Sequence, residues 1–260
     1  MQIHFYKYQG TGNDFILLDN RESNYTNITS EQVKFLCDRH FGIGADGLML
    51  LNKCKDLDFE MKYYNSDGNE STMCGNGGRC ITAFAKKLGL ITTNATFQAI
   101  DGKHTASMDD QGNVLLKMND VSQIQTYDTY YELNTGSPHY VHFTEYVHDM
   151  DMKKEGKLIR YSPKYKADGI NVNFVEVLSK DTLFVRTYER GVEDETLSCG
   201  TGVTAAAIAF CAEAIGPQQV NVKTLGGELL VLFEVDNNHV VKNVQLCGGA
   251  KFVFKGDIEV

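Results

Sequence analysis

The 260-residue chain lacks most of the features that would assign it quickly. It has no Lys/Arg-rich block and carries a net charge of −9, which argues against a nucleic-acid partner and is otherwise a charge suited to solubility. The N-terminus, MQIHFYKYQG, has no apolar signal core, so export is not expected. The longest apolar stretch, VTAAAIAFCAEAIG at 203–216, is too short to span a bilayer and contains Glu213. There is no C-x-x-C pair and no HExxH. Cys74 and Cys80 are poorly spaced for two ligands on one helix face, and His139 and His142 would point to opposite faces of a strand. GIGADG at 42–47 is glycine-rich but lacks the Lys-Ser/Thr of a phosphate loop. The seven cysteines, an odd number with no signal peptide, read as reduced thiols of a cytoplasmic protein. No metal and no cofactor is called for.

What the chain does contain is a repeat. MCGNGGRC at 73–80 and SCGTG at 198–202 each place a cysteine and glycines ahead of an Ala-rich helical stretch. Aligning Cys74 with Cys199 also aligns Glu70 with Glu195 and Asn65 with Arg190. Each helical stretch is expected to end at a glycine, Gly89 and Gly216, and β-rich segments with Gly or Asn turns follow. The first copy has an additional helical segment at 29–41, capped by Thr29 or Ser30, and 157–177 in the second copy reads as turn then strand. The expected fold is α+β, two copies of a mostly stranded unit. The expected lobes are residues 1–118 and 119–249, with a C-terminal strand at about 250–260 that can join the first.

A helix N-terminus offers unpaired N–H groups and positive partial charge, which lower a cysteine pKa and hold a carboxylate. Glycine lets that carboxylate approach the backbone. Two such mouths across a pseudo-twofold cleft could hold one carboxylate and place a sulfur on each face of the adjacent carbon. That suits inversion, with one thiolate as base and one thiol as acid. Small residues in two tight turns are the bland alternative.

Five blocks then resemble one family: YQGTGNDFILLD (8–19), NSDGNESTMCGNGGRC (65–80), GSPHYV (136–141), NVNF (171–174) and YERGVEDETLSCGTG (188–202). In this order they resemble diaminopimelate epimerase. The resemblance implies two pseudo-symmetric lobes, each a barrel-like, mostly antiparallel sheet around a central helix. It also implies cofactor-independent interconversion of LL- and meso-2,6-diaminoheptanedioate, for lysine and peptidoglycan synthesis, and a homodimer. It assigns Cys74 and Cys199 as acid/base thiols, with amides from Gly75 and Asn76 and from Gly200 and Thr201 on the carboxylate. Asn13, Asn65, Asn171, Glu189 and Arg190 would bind substrate, and His139 and Glu189 would tune a thiol. The chain departs from the family pattern at Ser137, where asparagine is common, at Gly47, where some members have glutamine, and by one extra residue between Arg190 and Cys199. The alternatives are another two-cysteine amino-acid racemase of this fold, a thiol redox protein and a non-catalytic amino-acid-binding protein.

Overall fold

The computed structural model describes residues 1–260, which divide into two compact units: Met1–Leu116 with Gly248–Val260, and Lys117–Cys247. The first unit contains β1 (Gln2–Gly10), β2 (Asn13–Asp19), α1 (Ser30–Cys37), β3 (Gly47–Asn52), β4 (Phe59–Asn65), β5 (Glu70–Ser71), α2 (Gly75–Lys87), β6 (Asn94–Ala99), β7 (Gly102–Met108) and β8 (Asn113–Lys117). The second contains β9 (Ile124–Thr126), β10 (Tyr131–Asn134), β11 (Pro138–Phe143), α3 (Met152–Arg160), β12 (Asn171–Ser179), β13 (Thr182–Glu189), β14 (Asp194–Thr196), α4 (Gly200–Phe210), β15 (Gly216–Thr224), β16 (Gly227–Val235) and β17 (Val241–Gly249). The last strand, β18 (Lys251–Glu259), pairs antiparallel with β1.

The ladder order is the same in both units. In the first, β1–β2 is antiparallel, β2–β3 parallel, β3–β4 antiparallel, β4–β6 parallel and β6–β7 antiparallel. In the second, β10–β11, β11–β12, β12–β13, β13–β15 and β15–β16 follow the same alternation. Each parallel step needs a crossover, and a helix supplies it each time. The crossovers are α1 and α2 in the first unit, α3 and α4 in the second.

β3 shows how one strand serves two cores. Leu48 and Leu50 join Val33 and Leu36 of α1 in one apolar cluster. Met49 points the other way, toward Gly77 of α2. A strand covered on both faces reads as an unbroken apolar run, and GLMLL is one. β12 does the same: Val172 and Phe174 pack with Met152 and Tyr188 beneath α3, while Asn173 faces Gly202 of α4. Both crossover helices behind the cysteines lie inside their sheets. α2 packs on β1, β2, β3 and β7, and α4 packs on β10 through β13, β15 and β16. α4 is buried on nearly every side, which is why GTGVTAAAIAF carries no charge.

Two sequence expectations need correction. The helical segment of the first copy is not additional, because α3 holds the equivalent crossover in the second. α3 is polar, with only Met152 and Gly156 buried, and a glycine in mid-helix hides the pattern. Gly156 is required there, because a Cβ would lie 2.4 Å from the Cβ of Tyr188. The second correction is Gly216. Gly89 does end α2: its N–H reaches the Lys86 carbonyl, the Leu90 N–H reaches Ala85, and its φ is +74°. α4 instead stops at Phe210, and Gly216 opens β15. Thr29, not Ser30, caps α1, with Gln32 completing a reciprocal capping box.

Candidate active site

Cys74 is the N-cap of α2, in extended conformation at φ −103° and ψ 150°. Its Sγ accepts the Gly77 N–H at 3.2 Å. This explains the glycine three residues on. A Cβ on Gly77 would stand 3.1 Å from that sulfur and 2.4 Å from the Met49 methyl. No acidic residue lies in the first turn, so its positive end is uncompensated by the helix's own side chains. Asn76, in the same turn, is buried, and its Nδ2 donates to Asn13 Oδ1 at 3.2 Å. Asn13 is placed by a two-residue hairpin turn in which Thr11 and Gly12 both have positive φ. Asn65 ends β4, exposed, directly across the ladder from Gly47. Glycine at 47 has a local cause: a Cβ would lie 2.5 Å from the Tyr63 ring and 2.6 Å from the Tyr64 carbonyl oxygen.

Cys199 is the N-cap of α4 and is buried. Its Sγ lies 3.4 Å from the Thr201 hydroxyl, and Gly202 occupies the position Gly77 has in α2. A Cβ on Gly202 would lie 2.3 Å from Asn173 Oδ1. The first turn again has no acidic residue. Burial, and then the negative charge of Glu189, push the Cys199 thiol well above its ordinary range, while the Thr201 hydroxyl and the Gly202 amide pull it back. Burial thus outweighs the lowering expected from a helix N-terminus and favours the protonated thiol at Cys199. Glu189 accepts a short hydrogen bond from the Thr196 hydroxyl across the β13–β14 pair. Asn171 Oδ1 accepts the Arg190 N–H at 2.8 Å, and Arg190 Nη1 donates to the Asp168 carbonyl at 2.9 Å. Thr201 is tethered through its carbonyl, which accepts from Thr135 Oγ1 at 2.9 Å. Ser137 closes the same turn, its carbonyl accepting the Thr135 N–H at 3.2 Å.

His139 faces Asn171 across the parallel β11–β12 pair and is fully buried. Asn173 Nδ2 lies 3.1 Å from His139 Nδ1 and 2.9 Å from the Tyr140 carbonyl, while Asn173 Oδ1 accepts from Thr187 at 2.9 Å. Because Asn173 presents N–H to it, Nδ1 is the acceptor and the ring proton sits on Nε2, which is buried without a hydrogen-bond partner. Burial and the nearby Arg190 charge push the ring down to about 3. The imidazole is thus neutral throughout the physiological range.

A pH consequence follows. The unfolded histidine takes up a proton near 6.5 and the folded one near 3, so stability is full above about 6.5 and falls as pH drops toward 3. Replacing His139 with Gln should flatten that decline, measured as melting temperature against pH. An unchanged slope would show that the imidazole is not held neutral.

The sequence-predicted residues therefore group as Cys74, Gly75, Asn76 and Asn13 at the α2 mouth, with Asn65 at the end of β4. At the α4 mouth stand Cys199, Gly200, Thr201 and Glu189, with the linked pair Asn171 and Arg190. His139 reaches α4 through Asn173. Asn173, Thr187 and Thr196 were not singled out in the sequence. Asn173 alone carried a signal, standing two residues from Asn171 and so on the same strand face.

The family model for diaminopimelate epimerase matches residues 5–124 and 131–253. The chain belongs to the diaminopimelate epimerase family. It is 51% identical over 257 residues to the diaminopimelate epimerase of Flavobacterium psychrophilum, covering 98% of this chain and all of that one. It is 41% identical over 258 residues to that of Chlorobaculum tepidum, covering 96% and 98%. Membership makes it an isomerase of the racemase and epimerase class. Among solved structures it resembles a phenazine biosynthesis protein of the PhzF family from Bacillus anthracis, with TM-score 0.77, 12% identity and full coverage of both chains. It also resembles a probable proline racemase from Agrobacterium radiobacter K84, with TM-score 0.71, 16% identity and coverage of 99% and 92%. At these identities the likeness concerns the fold, and it agrees with the α+β class expected from the repeat. No helix is long and apolar enough to cross a membrane.

Proposed function

We propose that this family member inverts one α-carbon of LL-2,6-diaminoheptanedioate to give the meso form, without a cofactor, in the lysine and peptidoglycan precursor route of a bacterial cytoplasm. The observation that carries the reading is the repeated helix mouth. Cys74 and Cys199 each N-cap a helix that begins with glycine and has no acidic residue in its first turn. In this reading the lobes 1–118 and 119–249 supply one thiol each.

Inversion requires a proton to leave one face of the α-carbon and another to arrive on the opposite face. One cysteine takes the first as thiolate, and the other gives the second as thiol. In the reverse direction the roles exchange. The amides of Gly75 and Asn76 and of Gly200 and Thr201 hold the carboxylate next to the reacting carbon and stabilise the charge that builds on its oxygens. Burial and the Glu189 charge, which raise the Cys199 thiol, favour its protonated form and so support a role as proton donor. Glu189, whose charge already bears on Cys199, is the carboxylate that tunes it. His139 supports the same mouth from beneath, through Asn173 and the close approach of Gly202.

The far end of the substrate is a second amino acid, so it needs an acceptor for an ammonium and a donor set for a carboxylate. Asn13, Asn65, Asn171, Glu189 and Arg190 offer both. Ser137 stands where a longer amide is common, and a bridging water would restore the reach. The assembly is read as a homodimer. The exposed Phe252, Val253 and Phe254 of β18 give apolar surface of the kind that a second copy covers.

The substrate assignment is tested by offering LL-diaminopimelate, L-proline and L-histidine in parallel to the purified protein. Fast epimerisation of the first and negligible racemisation of the others is the expected result. Faster turnover of proline or histidine would contradict the substrate and leave the two-thiol chemistry standing.

A further inference from the structure

Arg79 is the largest fully buried side chain, and it sits one turn inside α2, behind the cysteine mouth. Its Nη2 donates to Asn76 Oδ1 at 3.0 Å and to Thr11 Oγ1 at 3.1 Å, and its Nη1 to the Gly75 carbonyl at 3.4 Å. Asn76 then donates through Nδ2 to Asn13 Oδ1, and Asn13 donates through Nδ2 to Asp46 Oδ2 at 2.6 Å. Asp46 is itself held by Arg39 at 2.8 Å.

This chain of bonds has a direction. A guanidinium can only donate and a carboxylate can only accept, whereas an asparagine amide can do either by flipping. With Arg79 at one end, Asn76 must present its oxygen inward and its nitrogen to Asn13. Asn13 must then present its oxygen to Asn76, which aims its nitrogen at Asp46. The carboxylate of Asp46 accepts only that arrangement. Both asparagines belong to the proposed substrate site, and an amide turned the wrong way would offer an oxygen where an anionic ligand needs N–H.

We infer that Arg79 and Asp46 are positioning residues that lock the flip states of Asn76 and Asn13 from opposite ends of one polar relay. The kinetic consequence rests on the proposed function; the geometric one does not. Asp46 is partly exposed and pairs with Arg39 at the surface, so Asp46→Asn is compatible with folding.

The test uses the full-length protein with 15N-labelled asparagine. In the wild type, the side-chain amide protons of Asn13 and Asn76 should exchange slowly. Asp46→Asn should speed exchange at Asn13 and also at Asn76, one step further along. Arg79→Met should speed exchange at both, and Arg79→Lys, which still only donates, should largely restore them. If Arg79→Met does not fold, Asp46→Asn carries the test alone. In activity, Asp46→Asn should raise the KM for LL-diaminopimelate about tenfold with little change in kcat, as for loss of one oriented hydrogen bond to bound ligand. Disturbance confined to Asn13 in Asp46→Asn would overturn the relay. If the wild type fails to turn over the substrate, the amide exchange still reads the relay, so the two ideas fail separately.

Discussion

Cys74→Ala and Cys199→Ala are each expected to abolish measurable epimerisation, while Cys37→Ala, Cys54→Ala and Cys80→Ala retain substantial activity. Removing one of two proton-transfer groups costs on the order of 10²–10⁴-fold in rate. Neither remaining thiol can serve both faces, so the double variant should be scarcely slower than either single one. In the two-thiol reading the other cysteines have no such role. Cys37 ends α1 and Cys80 lies inside α2, so both are buried thiols that stand at neither helix mouth. The structure separates chemistry from folding at Cys74. Its sulfur caps the Gly77 N–H, so alanine there also removes a helix cap, a loss of about 0.5–2 kcal/mol. Cys74→Ser keeps an acceptor at the cap and should melt close to wild type, yet its hydroxyl is far too weak an acid to replace a thiol in the reaction. Circular dichroism and melting curves check the fold, and NMR of the product mixture reads the rate. Near-wild-type activity in either single variant would refute the two-thiol mechanism.

Arg190→Ala should lower kcat/KM for LL-diaminopimelate by roughly a hundredfold or more. Arg190 is exposed in the structure and is desolvated only beneath a bound substrate; there, truncating one partner of a charged hydrogen bond costs on the order of 2–5 kcal/mol, and each 1.36 kcal/mol or so is a factor of ten. The side chain is already held for such a role. Its backbone N–H is fixed by Asn171, its guanidinium donates to the Asp168 carbonyl, and its stem passes over Gly169. Gly169 has φ +74°, and a Cβ there would lie 2.5 Å from Arg190 Cδ, so glycine keeps the stem in place. Arg190→Lys keeps the charge but loses the planar fork, and should fall between wild type and Arg190→Ala. Steady-state kinetics decide it: kcat/KM for Arg190→Ala within a few-fold of wild type would remove Arg190 from the substrate site.

How far the sequence revealed this molecule depended on whether the cause was local. C-G-x-G was legible because its parts lie within one turn, and at Cys74 the cap sulfur bonds the N–H of the glycine three residues later. The strand alternation that follows each helix was legible for the same reason. α3 was not, because its buried face is one methionine and a glycine chosen by Tyr188, a contact invisible along the chain. The end of α4 was misplaced because VTAAAIAFCAEAIG keeps helical composition past Phe210, where the chain leaves the helix for β15. Gly47 stood out only as a departure from the family pattern. The Tyr63 ring and the Tyr64 carbonyl across the ladder leave no room for a side chain there. The support of His139 was hidden too, since Asn173 reaches it from the next strand and is itself held by Thr187 of the strand beyond. Residue types named the chemistry, and strand register decided which of them meet.

The central claim is that two thiols move protons on opposite faces of one carbon without help from any added group. The most direct measurement is epimerisation of LL-diaminopimelate in deuterated water, with no cofactor added, followed by NMR from the earliest turnover. The account predicts meso product carrying solvent deuterium at the inverted carbon while the unreacted LL substrate remains protiated. Product that keeps its original proton, or inversion that begins only when a cofactor is supplied, would contradict it.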